Sequence, residues 1–287
     1  MSDFIIRPVQ PNIGADIEGL DLREPITTKV RDMIYQAMLK HGVLFFRDQD
    51  ITREQHLAFG RSFGKLHPPI TAIEGYPDIL DVKSDGDTPS GADMWHSDHS
   101  DHKIPPMGSI LLAKRLPKLG GDTLWASAVS AYRALSPETK KRIEGLMCVH
   151  DFRKNIHRPK YGAEKTARIL SQSEPRVQPV VAVHPDTGEP ILWVNRNFTT
   201  HIIGLEKEES DDLLRELLDE ISKPDHQVRL KWEVNTIALW DNRTVQHYAV
   251  YDYHEPRRHE RVTVTGQTPT QKYGDALVPF KLPELAQ

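Results

Sequence analysis

Six consecutive residues, His96-Ser97-Asp98-His99-Ser100-Asp101, spell the triplet His-Ser-Asp twice. On a strand, residues two apart point to the same face, so either triplet offers an imidazole beside a carboxylate. A second imidazole from elsewhere would complete two neutral nitrogens and one carboxylate around one side of an ion. That donor set suits non-haem Fe(II) and leaves positions open for O2 and a co-substrate. The doublet alone does not say which triplet binds, or which other histidine joins it. The 14 histidines in 287 residues favour a metal site.

Composition narrows the classes. Lysine and arginine number 37 against 41 aspartate and glutamate, a net charge of −4. That leaves no electrostatic footprint for nucleic acid. Cys148 is the single cysteine, so an intrachain disulfide and a thiolate-rich zinc or iron–sulfur site are excluded. No apolar run approaches a membrane span, and Met1-Ser2-Asp3-Phe4 does not begin a basic leader. The expectation is a cytoplasmic protein with no membrane partner.

Elements must position such a site. Helical spacing of apolar residues runs over Val30 to Leu39, Arg53 to Phe63 and Lys207 to Ile221, the last acidic and stopped by Pro224. This last helix is expected to pack on the core or on a second subunit. Strand-like runs are more numerous: Val43–Phe46, Ile79–Val82, Ser109–Ala113, Val180–Val183, Ile191–Val194, Val228–Trp232, Thr236–Trp240 and Arg261–Thr265. The distribution predicts a mainly β protein with flanking helices rather than alternating βα units. Residues 1–287 are expected to form one domain. The polar, weakly periodic stretch 153–179 is expected as a lid over a site or a solvated insertion.

Three further motifs carry chemistry. Gly120-Gly121-Asp122-Thr123 reads as a tight hairpin, with Thr123 opening the next strand. Trp240-Asp241-Asn242-Arg243 is followed by His247, and Arg257, Arg258 and Arg261 cluster on an otherwise apolar strand. Together with Gly14-Ala15-Asp16-Ile17, Gly42 to Arg47, Phe63-Gly64, Val149 to Lys154, Asn195, Phe198-Thr199-Thr200 and Gln246 to Ala249, these motifs resemble the taurine dioxygenase family of Fe(II)- and 2-oxoglutarate-dependent oxygenases. The resemblance covers nearly the whole chain.

It implies a double-stranded β-helix, or jelly roll, with helices packed outside. It also resolves the doublet. In the family the ligand pair follows a Trp, as Trp95 precedes His96, and a Thr follows at the distance that separates Asp98 from Thr123. The implied metal ligands are therefore His96, Asp98 and His247, which are also the catalytic centre. The second triplet has no counterpart as a ligand pair, and His99 matches a position facing the primary substrate. 2-Oxoglutarate would chelate the metal and present its far carboxylate to Thr123 and an arginine, whose fork a lysine cannot reproduce. The spacing to Arg261-Val262-Thr263 selects Arg257; counting from His247 selects Arg258 instead. Trp240 is expected to wall the co-substrate pocket.

For the substrate, His67, Phe152 and Phe198 match pocket residues of the taurine enzyme, and Arg261 would bind an anionic head group. Ala92 and Ile70 replace polar residues there, which implies a less polar substrate body than taurine. The implied activity is hydroxylation of a small organosulfur anion, releasing sulfite or sulfate, with aryloxyalkanoates as the alternative. A non-catalytic metal-binding jelly-roll module is the rival class, disfavoured because the co-substrate residues are all present. A halogenase is disfavoured because Asp98 fills the position a halide would need. A small anionic substrate and a homo-oligomer, dimer or tetramer, complete the expectations.

Overall fold

A computed structural model describes residues 4–69, 71–87, 92–155, 166–167, 170–171, 173–267, 270–273 and 276–279. The chain is mostly β with a few helices. Its largest sheet has eight strands, ordered Ile5–Pro8, Ala15–Glu18, Val43–Phe46, Ile237–Asp241, Gly108–Arg115, Arg257–Val264, Tyr76–Ser84 and Ala72–Ile73. A three-stranded sheet pairs Thr123–Ser127 between Gln227–Leu230 and Val245–Ala249. A second three-stranded sheet is built around Met147–His150, and a four-stranded sheet contains Val181–Val183.

The pairing is antiparallel except where Ala15–Glu18 meets Val43–Phe46. A parallel pair needs a long crossover, and the helix Thr28–His41 supplies it. The Thr27 hydroxyl accepts from Val30 N at the helix start, while Val30, Ile34, Ala37 and Met38 bury one face. At the end, Gly42 takes φ 72° and donates its N–H to Met38 O. A Cβ at Gly42 would meet Val245 Cγ1 at 2.7 Å. Glycine therefore lets the helix end and also lets the His247 strand approach.

A large apolar layer fills the space between the eight-stranded and three-stranded sheets. Trp125 lies 5.6 Å from Phe45, 5.9 Å from Trp240 and 6.2 Å from Trp232, ring centre to ring centre. The acidic helix Lys207–Ile221 buries Leu213, Leu214, Leu217, Leu218 and Ile221 in a second cluster with Ile143 and Val194, so its apolar face packs on the core.

Two local expectations change. Gly120 and Gly121 both take positive φ, but they do not close a hairpin. The strands on either side, Gly108–Arg115 and Thr123–Ser127, belong to different sheets, so the glycines carry the chain across between them. The stretch 153–179, expected as a lid or a solvated insertion, ends in a strand, Arg176–Pro179, paired with Met147–His150. Residues 156–165, 168, 169 and 172 lie outside the described residues.

Candidate active site

His96 does not lie on a regular strand. It forms an isolated antiparallel bridge with His247, through His96 N to His247 O at 3.2 Å and His247 N to His96 O at 2.8 Å. Asp98 opens the turn that follows. The alternation that first suggested a shared face is therefore not what aligns this pair. Asn242 does it: its Oδ1 accepts from Asp98 N at 2.7 Å and its Nδ2 donates to Asp98 O at 2.9 Å. Ser97 Oγ adds a bond to Val245 O at 3.0 Å. The turn Asp241-Asn242-Arg243 was legible as a motif, but its role as a clamp on the 96–98 backbone was not.

All three side chains are buried, and their ligand atoms lie within 4.8 Å of one another. His96 Nε2 and His247 Nε2 stand 3.8 and 3.9 Å from Asp98 Oδ1. Those separations exceed hydrogen-bond lengths, so the three groups face one another unbonded with space between them for an ion. His96 Nδ1 donates to Met94 O at 2.7 Å, which leaves Nε2 as the nitrogen without a proton in the neutral ring. Burial pushes His247 down to about 3, with the neighbouring His96 adding to the shift, so its ring is the neutral, ligating form at ordinary pH. Burial alone would push the Asp98 carboxyl up. The Arg261 guanidinium, with His247, His96 and His99, outweighs this and holds it below the usual carboxylate range. The residues present thus fit a 2-His-1-carboxylate metal centre.

The strand Arg257–Val264 decides between the arginines. Arg257, His259 and Arg261 share one face; Arg258, Glu260 and Val262 share the other. Arg257 is 6% exposed, with Nε donating to Gly121 O at 3.0 Å and Nη2 reaching Thr123 Oγ1 at 3.4 Å. Burial pushes its pKa down, yet a guanidinium stays charged. Among the described residues no carboxylate forms an ion pair with it. The structure does not bring Arg258 to this place: its Nε donates to Asp81 at 2.7 Å on the opposite face. Gly121 has a further reason to be glycine, since a Cβ there would come within 3.1 Å of Arg257 Cδ.

Trp232 is a site residue that sequence reasoning missed. Its Nε1 donates to Thr123 Oγ1 at 3.0 Å. An indole is a donor only, so the Thr123 oxygen accepts and its own hydrogen is left to donate elsewhere. Trp240 lies 5.0 Å from the His247 ring and packs on Trp125, so it backs that imidazole.

On the substrate side, the structure gathers His67 and His99, with rings 6.0 Å apart, and adds His102 at 4.5 Å from His99 and 6.2 Å from His67. Phe152 and Phe198 pack together at 6.4 Å. A buried chain of bonds ties Phe198 to the doublet. Phe198 N donates to Asn195 Oδ1, Asn195 Nδ2 donates to Ser100 Oγ at 2.8 Å, and His150 bridges Ser100 and Thr199. Ala92 O accepts from Ala249 N beside the His247 strand, while Ile70 lies outside the described residues. Arg261 Nη1 reaches both Asp98 oxygens, at 3.0 and 2.8 Å.

Residues 5–264 match the family described as taurine catabolism dioxygenase TauD, TfdA. The chain belongs to this family. Among its TauD, TfdA relatives, an alkylsulfatase of Acinetobacter baylyi is 32% identical, aligning over 96% of this chain and 91% of that protein. An alpha-ketoglutarate-dependent sulfate ester dioxygenase of Pseudomonas putida is 32% identical over 92% of this chain and 90% of that one. The crystal structure of a taurine dioxygenase from Burkholderia xenovorans superposes with a TM-score of 0.82 at 31% identity, covering 97% and 96% of the two chains. The chain is thus, by class, an Fe(II)- and 2-oxoglutarate-dependent dioxygenase. Among the described residues no helix is long and apolar enough to cross a membrane.

Proposed function

We propose that this TauD, TfdA dioxygenase hydroxylates a small organosulfur anion, an alkyl sulfate ester or an alkyl sulfonate, at the carbon next to the ester oxygen or sulfur. The observation that carries the co-substrate half is Arg257, a buried guanidinium without an ion-pair partner among the described residues, set against a hydroxyl that is free to donate. A buried charge needs a counter-charge, and the far carboxylate of 2-oxoglutarate supplies one with matching fork geometry. His96, Asp98 and His247 would hold the iron. Bound there with 2-oxoglutarate, Fe(II) supplies the activation of O2.

This chain's own residues do the rest. Trp232 orients Thr123, and Thr123 and Arg257 fix one end of the co-substrate. Arg261, beside Asp98, meets the anionic head of the substrate, with His67 and His99 bordering the same place. Phe152 and Phe198 offer an apolar wall for its body. Hydroxylation gives an unstable adduct that collapses to an aldehyde plus sulfate from an ester, or sulfite from a sulfonate; 2-oxoglutarate leaves as succinate and CO2. The alkylsulfatase and sulfate ester dioxygenase relatives support the ester as the first choice. The jelly-roll architecture, in one domain with an insert at 153–179, is part of the same reading, as are a cytoplasmic dimer or tetramer.

Succinate release, measured with parallel sulfate and sulfite detection, tests the proposal across alkyl sulfates, alkyl sulfonates and aryloxyalkanoates. Substrate-dependent succinate with equimolar sulfate or sulfite is expected. Turnover confined to aryloxyalkanoates would overturn the substrate class.

A further inference from the structure

The second half of the doublet has its own geometry. The ligand atoms of His99, Asp101 and His102 also lie within 4.8 Å of one another. They sit on one tight turn, closed by His102 N donating to His99 O at 2.9 Å. Gln178, buried, anchors that turn from the neighbouring strand: its Nε2 donates to Ser100 O at 3.1 Å and His102 O at 3.3 Å. His99 takes φ 51°, a left-handed conformation that is costly for a non-glycine residue and is kept only where the surroundings enforce it.

An independent observation points to a ligand. Asp101 is only 5% exposed, and among the described residues its Oδ1 has no hydrogen-bond partner. A buried carboxylate oxygen left unpaired is costly, and nothing in the iron or co-substrate machinery uses it. We propose that His99, Asp101 and His102 form a second divalent-cation site beside the first, built from residues that the iron site does not share. Two imidazoles and a carboxylate suit Zn(II), and also accept Fe(II), Co(II) or Mn(II). A cation there gives the buried Asp101 carboxylate a partner.

The surrounding charges permit it. Arg176 acts on Asp101 and His102, and Arg261 and His67 act on His99, while Asp98 and Asp151 supply compensating negative charge. The ion would add positive charge at the His67–His99 edge, so that His99 serves the substrate side through the cation.

Equilibrium dialysis of the metal-stripped protein against Zn(II), with metal analysis, tests the site; Co(II) absorption gives a second readout. Wild type is expected to retain two ions per chain. Asp101→Asn and His102→Ala are each expected to retain one, as is His96→Ala, and the His96→Ala/His102→Ala double variant none. A single ion in wild type would overturn the proposal, and this measurement needs no variant to fold. Retention of two ions by both Asp101→Asn and His102→Ala would also overturn it. Failure of the iron-site reading is separate: it would show as two ions in His96→Ala.

Discussion

Arg261 and Asp98 are joined by a forked contact in which one guanidinium nitrogen lies 3.0 Å from Oδ1 and 2.8 Å from Oδ2. The residue proposed to meet the substrate's anion thus also touches the carboxylate proposed to bind iron. Binding an anion at Arg261 should redistribute charge at Asp98, linking substrate arrival to the metal centre.

Arg261→Gln removes this link. Truncating one partner of a buried charge pair costs about 2–5 kcal/mol, or roughly 30-fold or more. KM for the sulfur substrate is expected to rise by at least about 30-fold, with a change in Fe(II) affinity measured by titration. An unchanged KM would show that the head group binds elsewhere.

The two neighbouring arginines separate cleanly. Arg257→Lys should raise KM for 2-oxoglutarate by about 100-fold, because a point charge cannot replace the fork. Arg258→Lys, on the opposite face with Asp81, should leave it within about threefold, as expected for a half-exposed ion pair. Equal effects from both substitutions would contradict the register argument. Steady-state kinetics with varied 2-oxoglutarate decides it.

Trp232→Phe tests the orientation of Thr123. Losing one neutral hydrogen bond is worth about 0.5–1.5 kcal/mol, so KM for 2-oxoglutarate should rise by about threefold to tenfold. Iron affinity should stay at the wild-type value. Loss of iron together with co-substrate would instead indicate general collapse of the site.

His56 predicts a pH dependence away from the chemistry. It is fully buried, its Nε2 lies 3.2 Å from Ile110 O, and burial pushes it down to about 4. Between pH 4 and the ordinary value near 6.5 the unfolded chain binds a proton there that the folded chain does not. Stability therefore rises with pH across this window and is lost as pH falls through it. Each group of this kind contributes at most about 1.4 kcal/mol per pH unit. His56→Met should flatten the slope of urea-unfolding stability between pH 6 and 4.5 by about that amount. An identical slope in the variant would refute the assignment.

The local and ordered features were legible in the chain. The apolar spacing of Lys207–Ile221 matches the helix end to end, and Val43–Phe46 matches its strand, because both patterns are written in neighbouring residues. The ordered set His96, Asp98, Thr123 and His247, with an arginine at 257 or 258, was readable because its motifs lie in sequence at family spacing. What tertiary structure alone decided is how distant segments meet. Arg257 rather than Arg258 faces Thr123 because pairing with Tyr76–Ser84 and Gly108–Arg115 fixes which face of the strand turns inward. Trp232 bonds Thr123 because Gln227–Leu230 pairs beside Thr123–Ser127. Asn242 holds Asp98, and His102 joins His99 and Asp101, through turns whose hydrogen bonds no periodicity encodes. Sequence named the donors; the register between strands and the closure of turns chose which of them share a space.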